Sequence, residues 1–114
     1  MSVAFFAFAA SAFLVWLVFF ADMIVRYKKR ALSDVEQIHG YIAQFDPSAA
    51  KRVVQRIEHS IGRLNIMPLS GRPGMVPGTR LLAVPGVPYI VVHRVRNDAV
   101  DIIAVLHTAR KRRS

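Results

Sequence analysis

Between Asn65 and Gly78 the chain changes its hydrophobic period, and that change restricts the fold to helices first and strands second. From Val35 to Leu64 apolar residues recur three and four apart, the spacing of one helix face. From Thr79 to Leu106 the apolar residues alternate or run together, the spacing of strands. The segment between them holds Pro68, Gly71, Pro73, Gly74, Pro77 and Gly78, which break any regular element. At about fourteen residues this basic loop is long enough to suggest a function beyond connection.

The helical part divides into two. Ser33 and Glu36 have the spacing of a capping box, which places a helix start at Ser33. Val35, Ile38, Tyr41, Ile42 and Phe45 then form a stripe directed at a core. Asp46-Pro47 ends this helix and starts another, with Asp as N-cap and Pro at the first helical position. The second helix gathers Ala50, Val53, Val54, Ile57, Ile61 and Leu64 on one side. Lys51, Arg52, Gln55, Arg56, Glu58, His59 and Arg63 occupy much of the rest. With almost no linker, the two must pack as an antiparallel hairpin.

Residues 23–29 have the composition of a short strand, and further strands are expected near 79–84, 88–96 and 99–106. Asn97-Asp98 supplies a two-residue turn, since Asn and Asp tolerate positive φ. The expected architecture is α+β, a helical hairpin packed on one face of a small antiparallel sheet. If 97–98 is the turn, Arg96 faces Ala99 and Arg94 faces Asp101, a cross-strand ion pair. Tyr89, Val91, His93 and Val95 then share an apolar face with Val100, Ile102, Ala104 and Leu106. Ile90, Val92, Arg94 and Arg96 share the open face with Asp101, Ile103, Val105 and His107. This register puts His93 and His107 on opposite faces.

The first 22 residues stand apart as a segment before a domain at 23–114. Met1 to Ala21 carries no charge, and as a helix it would be about 31 Å long against a hydrocarbon core of ~30 Å. Arg26, Lys28, Lys29 and Arg30 behind it would hold the downstream domain in the cytoplasm. It lacks the positive start and the cleavage site of a secretory signal. One reading is a transmembrane anchor; the other is that translation starts at Met23 and the segment is an artefact. Either way the working domain is expected to be cytoplasmic, with a membrane involved only if 1–21 are translated.

Sixteen Lys/Arg against seven Asp/Glu give a net charge of +9, and +10 without Asp22, the only charge before Met23. Such an excess on a small domain implies an anionic partner. There are no cysteines, which removes disulfides, thiolate nucleophiles and thiolate metal sites. His39, His59, His93 and His107 lack the paired spacing of ligands on one element, so no metal and no cofactor are expected. No phosphate-binding Gly loop joins a strand to a helix, and no nucleophile elbow is present.

Four short matches come in a recognisable order: Pro68-Leu69-Ser70-Gly71-Arg72-Pro73, Gly78-Thr79-Arg80, Pro88-Tyr89-Ile90-Val91-Val92-His93-Arg94-Val95, and Val105-Leu106-His107-Thr108-Ala109-Arg110. In this order and spacing residues 23–114 resemble the RelE/ParE superfamily, the toxins of bacterial type II toxin–antitoxin modules. The resemblance implies a growth inhibitor, of the kind tied to plasmid stabilisation, neutralised by a cognate antitoxin from an adjacent gene. Promoter DNA would be bound only through that antitoxin. In the ParE-like branch the target is DNA gyrase and the protein is not an enzyme. In the RelE-like branch it is a ribosome-dependent messenger endoribonuclease. A silent relative that only binds its antitoxin is a third reading.

The RelE-like resemblance implies catalytic roles for Arg72, Arg80 and His107. The cations would stabilise a phosphorane and the imidazole would serve as acid or base. Against it, nothing aromatic follows Tyr89, and the position often filled by Tyr is His93. Candidate contacts to a target or nucleic acid are Arg72, Arg80, Arg94, Arg110, Lys111, Arg112 and Arg113. The tail matters because in ParE-like members the C-terminal region takes part in gyrase inhibition. The ParE-like reading is the one favoured.

Overall fold

The computed structural model describes residues 23–109. The chain runs through β1 (Ile24–Tyr27), α1 (Lys29–Ala43), α2 (Pro47–Gly62), a 3-10 turn (Arg63–Asn65), β2 (Arg72–Pro73), β3 (Thr79–Ala83), β4 (Tyr89–Arg96) and β5 (Ala99–His107). Two helices pack on a five-stranded sheet, an α+β fold. Residues 1–22, and with them the transmembrane reading, lie outside the described residues. Among the described residues no helix is long and apolar enough to cross a membrane.

The junction between the helices is as the sequence predicts. Asp46 is the N-cap of α2, its carboxylate accepting from the Ala49 amide at 3.0 Å, and Pro47 opens the helix. The start of α1 differs. It begins at Lys29 behind Lys28, which makes no side-chain cap. Ser33 is therefore one turn inside, where its hydroxyl accepts from Gln37 Nε2 at 2.9 Å. The helix starts early because β1 ends at Tyr27 and the Lys28 amide is held by the Ile102 carbonyl, so the chain turns off the sheet there.

The core lies between α2 and the sheet: Ile57, Ile61 and Leu64 meet Val91, Val100, Ile102 and Val105, with Ala31 from α1. Burying a side chain of this size contributes roughly 1.5–3 kcal/mol. α1 gives less than its pattern suggests. Val35 and Ile38 are partly buried against the core, but Tyr41 and Phe45 are 64% and 74% exposed.

The sheet order is β1-β5-β4-β3-β2. It is mixed rather than antiparallel, because β1 lies parallel to β5, with Ile24 beside Ala99 and Tyr27 beside Ile102. The helical hairpin intervenes between β1 and its sheet partners, and such a crossover is what a parallel neighbour requires. The second departure is β2. Arg72 and Pro73 are not free loop but pair antiparallel with Leu81 and Arg80.

The β4–β5 hairpin turns at Asn97, whose φ is 54°, and Arg96 faces Ala99, Arg94 faces Asp101 and His93 faces Ile102 as predicted. The register then slips. Val92 faces Ala104, Val91 faces Val105 and Tyr89 faces His107, leaving Ile103 as an extra residue. This bulge turns Val105 and His107 to the side of Val91 and Tyr89. β1 ends opposite Ile102, and beyond it the Val105 amide donates to Asp34 Oδ2 at 2.9 Å, tying α1 to β5.

Candidate functional site

Cross-strand partners point to the same side of a sheet, so the pairing divides the candidate cations. One row runs Arg26, Asp101, Arg94, Thr79; the row beside it runs Tyr27, Ile102, His93, Arg80. Ile102 belongs to the core, so His93 and Arg80 lie on the helix side. Arg72 pairs with Leu81 and shares the far side with Arg94. The sequence register puts Arg94 and His107 on one open face; the structure puts Arg72 and Arg94 on that face and Arg80 and His107 on the other. His93 and His107, expected on opposite faces, share one, because of the bulge at Ile103. Nor is the far face open along its centre, where Leu81, Ile90, Asp101 and Ala104 are all buried.

On the far side, Asp101 is 1% exposed, and its Oδ1 accepts from Arg26 Nε at 2.9 Å. Lys28 Nζ stands 4.0 Å from Oδ2. Arg94 faces Asp101 in register but makes no ion pair among the described residues, and its Nε is buried without a hydrogen-bond partner. The predicted ion pair thus belongs to Arg26, which approaches from the parallel strand.

On the helix side, His93 is fully buried and its Nε2 donates to the Ser70 carbonyl at 3.2 Å. A carbonyl only accepts, so the neutral ring carries its proton on Nε2. Burial pushes the His93 pKa below the usual 6.5; the Ser70 hydrogen bond opposes this and the Arg80 charge adds to it. Arg80 Nη2 donates to the Gly71 carbonyl at 2.9 Å. Gly71 has φ +90°, and a Cβ there would fall on the Leu81 carbonyl. Thr79 Oγ1 donates to the Val76 carbonyl at 2.6 Å and closes the far end of the loop. His93 and Arg80 therefore anchor Ser70-Gly71 to the sheet.

A second group lines a cleft of about 190 Å³ between α1 and the hairpin: Asp34, Tyr41, Tyr89 and His107. The rings of Tyr89 and His107 meet edge to face, 5.4 Å between centroids. His107 Nδ1 accepts from the Ala109 amide at 3.1 Å, which leaves the proton on Nε2 as a donor. Burial, then the neighbouring Tyr41, raises the Tyr89 pKa. The sequence singles out His107 but misses Tyr41, Asp34 and Tyr89 as its neighbours. The signal was the stripe position of Tyr41, read as core.

Exposed apolar side chains stand on α1 (Leu32, Tyr41), just past its end (Phe45, whose ring meets that of Tyr41) and in the loop (Ile66, Met67, Leu69, Met75, Val76). Among the described residues no three His, Asp or Glu groups converge to hold a metal ion. Arg110, Lys111, Arg112 and Arg113 lie outside the described residues.

A family model described as the ParE toxin of the type II toxin–antitoxin system, parDE, matches residues 25–112. The chain is 42% identical over 83 residues to a protein of Sinorhizobium fredii (strain NBRC 101917 / NGR234) named "Putative toxin Y4kP", covering 73% of this chain and 85% of that one. It is 36% identical over 81 residues to Toxin RelE2 of Caulobacter vibrioides, covering 71% and 90%. Among solved structures, a chain of the chromosomal ParDE toxin–antitoxin system from P. aeruginosa matches with a TM-score of 0.69 at 26% identity. That match covers 76% of this chain and 97% of the other.

Proposed function

The chain belongs to the ParE toxin family of type II toxin–antitoxin systems, and from that membership we propose that it arrests growth by inhibiting DNA gyrase until a cognate antitoxin silences it. The observation that carries the choice of target is the division of cations between two faces. Cleaving a phosphodiester needs base, acid and cations around one phosphorus. Arg72 lies on the far side of the sheet, whereas Arg80 lies on the helix side with its guanidinium bound to the Gly71 carbonyl. A binding inhibitor has no such requirement.

The antitoxin is the partner expected to cover the exposed apolar side chains of α1 and the loop, with acidic residues meeting the basic surface. A helix or extended segment from its C-terminal part would suit those surfaces.

One observation favours the ribonuclease reading: His107 sits in a cleft with Tyr41, Tyr89 and Asp34, and its Nε2 proton is available for donation. Inducing the full chain without antitoxin, with pulse labelling of DNA, RNA and protein synthesis over the first minutes, separates the two. DNA synthesis should stop first. Protein synthesis stopping first would sink the gyrase reading and make the His107 cleft the working site.

A further inference from the structure

Arg52, Arg56, His59 and Arg63 follow one another at intervals of four, three and four residues, a straight line along α2 that continues past its end. At 1.5 Å per residue the line spans about 16 Å. All four line an open groove of about 480 Å³, closed on one side by Pro85. Among the described residues none of them has a carboxylate within ion-pairing distance; Arg26, Lys28 and Arg30 take Asp101 and Asp34. Arg56 is held in place, its Nη1 donating to the Pro85 carbonyl at 3.4 Å. Gly86, beside Pro85, leaves room for that guanidinium, since a Cβ there would lie 2.7 Å from Nη1.

We propose that this cationic rail on α2 binds the phosphate backbone of double-stranded DNA, without regard to base sequence. Evenly spaced cations on a line suit a linear polyanion, and the guanidinium fork matches phosphate oxygens. Apart from Pro85, every side chain lining the groove is charged or can form hydrogen bonds. Its one ring is His59, and it holds no Phe, Tyr or Trp on which successive bases of a single strand would stack. Beside its arginines it has no Trp or Tyr to anchor a protein partner; the exposed tyrosine lies elsewhere, at Tyr41 on α1. A rail carried on an α-helix can follow the phosphates bordering the wide major groove of B-form DNA, whereas the major groove of A-form RNA is too narrow for a helix to settle between its phosphate rows. The interaction would be the toxin's own, separate from any the antitoxin makes, and it does not depend on gyrase being the target.

The test is fluorescence anisotropy of the purified full chain with two unrelated DNA duplexes, a duplex RNA and a single strand, over a series of salt concentrations. Both DNA duplexes should bind alike and more tightly than the RNA or the single strand. The combined variant Arg52→Gln, Arg56→Gln, Arg63→Gln should weaken DNA binding at least tenfold. It should also reduce the slope of log affinity against log salt by about 2–3, close to one unit for each phosphate no longer neutralised. A control variant with the same change in net charge, Lys29→Gln, Lys51→Gln, Arg96→Gln, should keep most of the affinity and slope. Equal losses in the two variants would reduce the rail to bulk charge and overturn the proposal. So would the absence of DNA binding, a preference for RNA or single strands, or displacement of the DNA by an equally charged glutamate peptide at matching concentration. Circular dichroism of each variant separates weakened binding from unfolding.

Discussion

Tyr89 and His107 face each other across the β4–β5 ladder, their rings 5.4 Å apart and steeply inclined, because Ile103 is one residue more than the ladder needs. Without that extra residue the imidazole would point away from the helices, and the cleft it shares with Asp34 and Tyr41 would lose its only histidine.

The first prediction concerns that pair. His107→Ala should cost about 0.5–1.5 kcal/mol, the worth of an aromatic pair, as read by urea unfolding. Arrest of DNA synthesis in the induced cell should proceed as in the parent. A folded variant that no longer arrests growth would show the imidazole to be a working group instead.

His93 makes stability depend on pH. Its folded pKa lies below the usual 6.5, so the unfolded chain binds the proton more readily. The contribution is complete above that value and is lost as pH falls beneath it. Urea midpoints should therefore drop between pH ~7.5 and ~5.5, and His93→Gln should shrink the drop by removing the titrating ring. An unchanged profile in the variant would place the dependence elsewhere.

Gly71→Ala should detach β2. It combines a left-handed backbone with a methyl group aimed at the Leu81 carbonyl, a strain on the order of 1–3 kcal/mol. The expected result in hydrogen exchange is faster exchange at Arg72 and along the edge of β3. Protection equal to the parent's would mean that the loop has another stable path.

Asp101→Asn removes the charge that Arg26 approaches at 2.9 Å and Lys28 at 4.0 Å. Hydrogen bonds to charged groups contribute roughly 1.5–3 kcal/mol, and a loss of that size is expected on unfolding. Arg26→Gln should cost less, because the arginine side chain is 55% exposed while the aspartate is 1% exposed. Equal costs would show that the buried carboxylate is not the controlling partner.

The parts of the fold governed by local chemistry were legible. Asp46-Pro47 marks a helix boundary by supplying a cap and a fixed φ, and Asn97 marks a turn by tolerating positive φ. The apolar face of α2 is readable because Ala50, Ile57 and Ile61 keep helical spacing and no charged residue interrupts them; Ser60, also buried there, carries no apolar signal and escapes the pattern. The bulge was not legible. From Ile102 to Leu106 β5 is apolar on both sides, so shifting the register by one residue leaves the pattern equally good. The site inherits that ambiguity: the sequence register puts His107 on the open face and the structure on the helix side. β2 was hidden because Gly71 and Gly74, which break regular structure, flank the only two residues that pair. The direction of β1 depends on the chain's path through the helices, which its own four residues do not encode.

β2 has a consequence for how the sheet meets other chains. Its outer side is one arginine and one proline long, and proline has no amide hydrogen to offer. An incoming strand finds no ladder there, and the arginine's charge resists stacking of one copy on another. Growth of the sheet from this border, whether by self-association into fibres or by a partner's extended segment, is therefore blocked at the outset. β1, at the opposite border of the described sheet, is four residues long with no proline; its Ile24 amide is given to the Asp98 carbonyl on the β5 side, and an extended segment would find a longer ladder there than at β2.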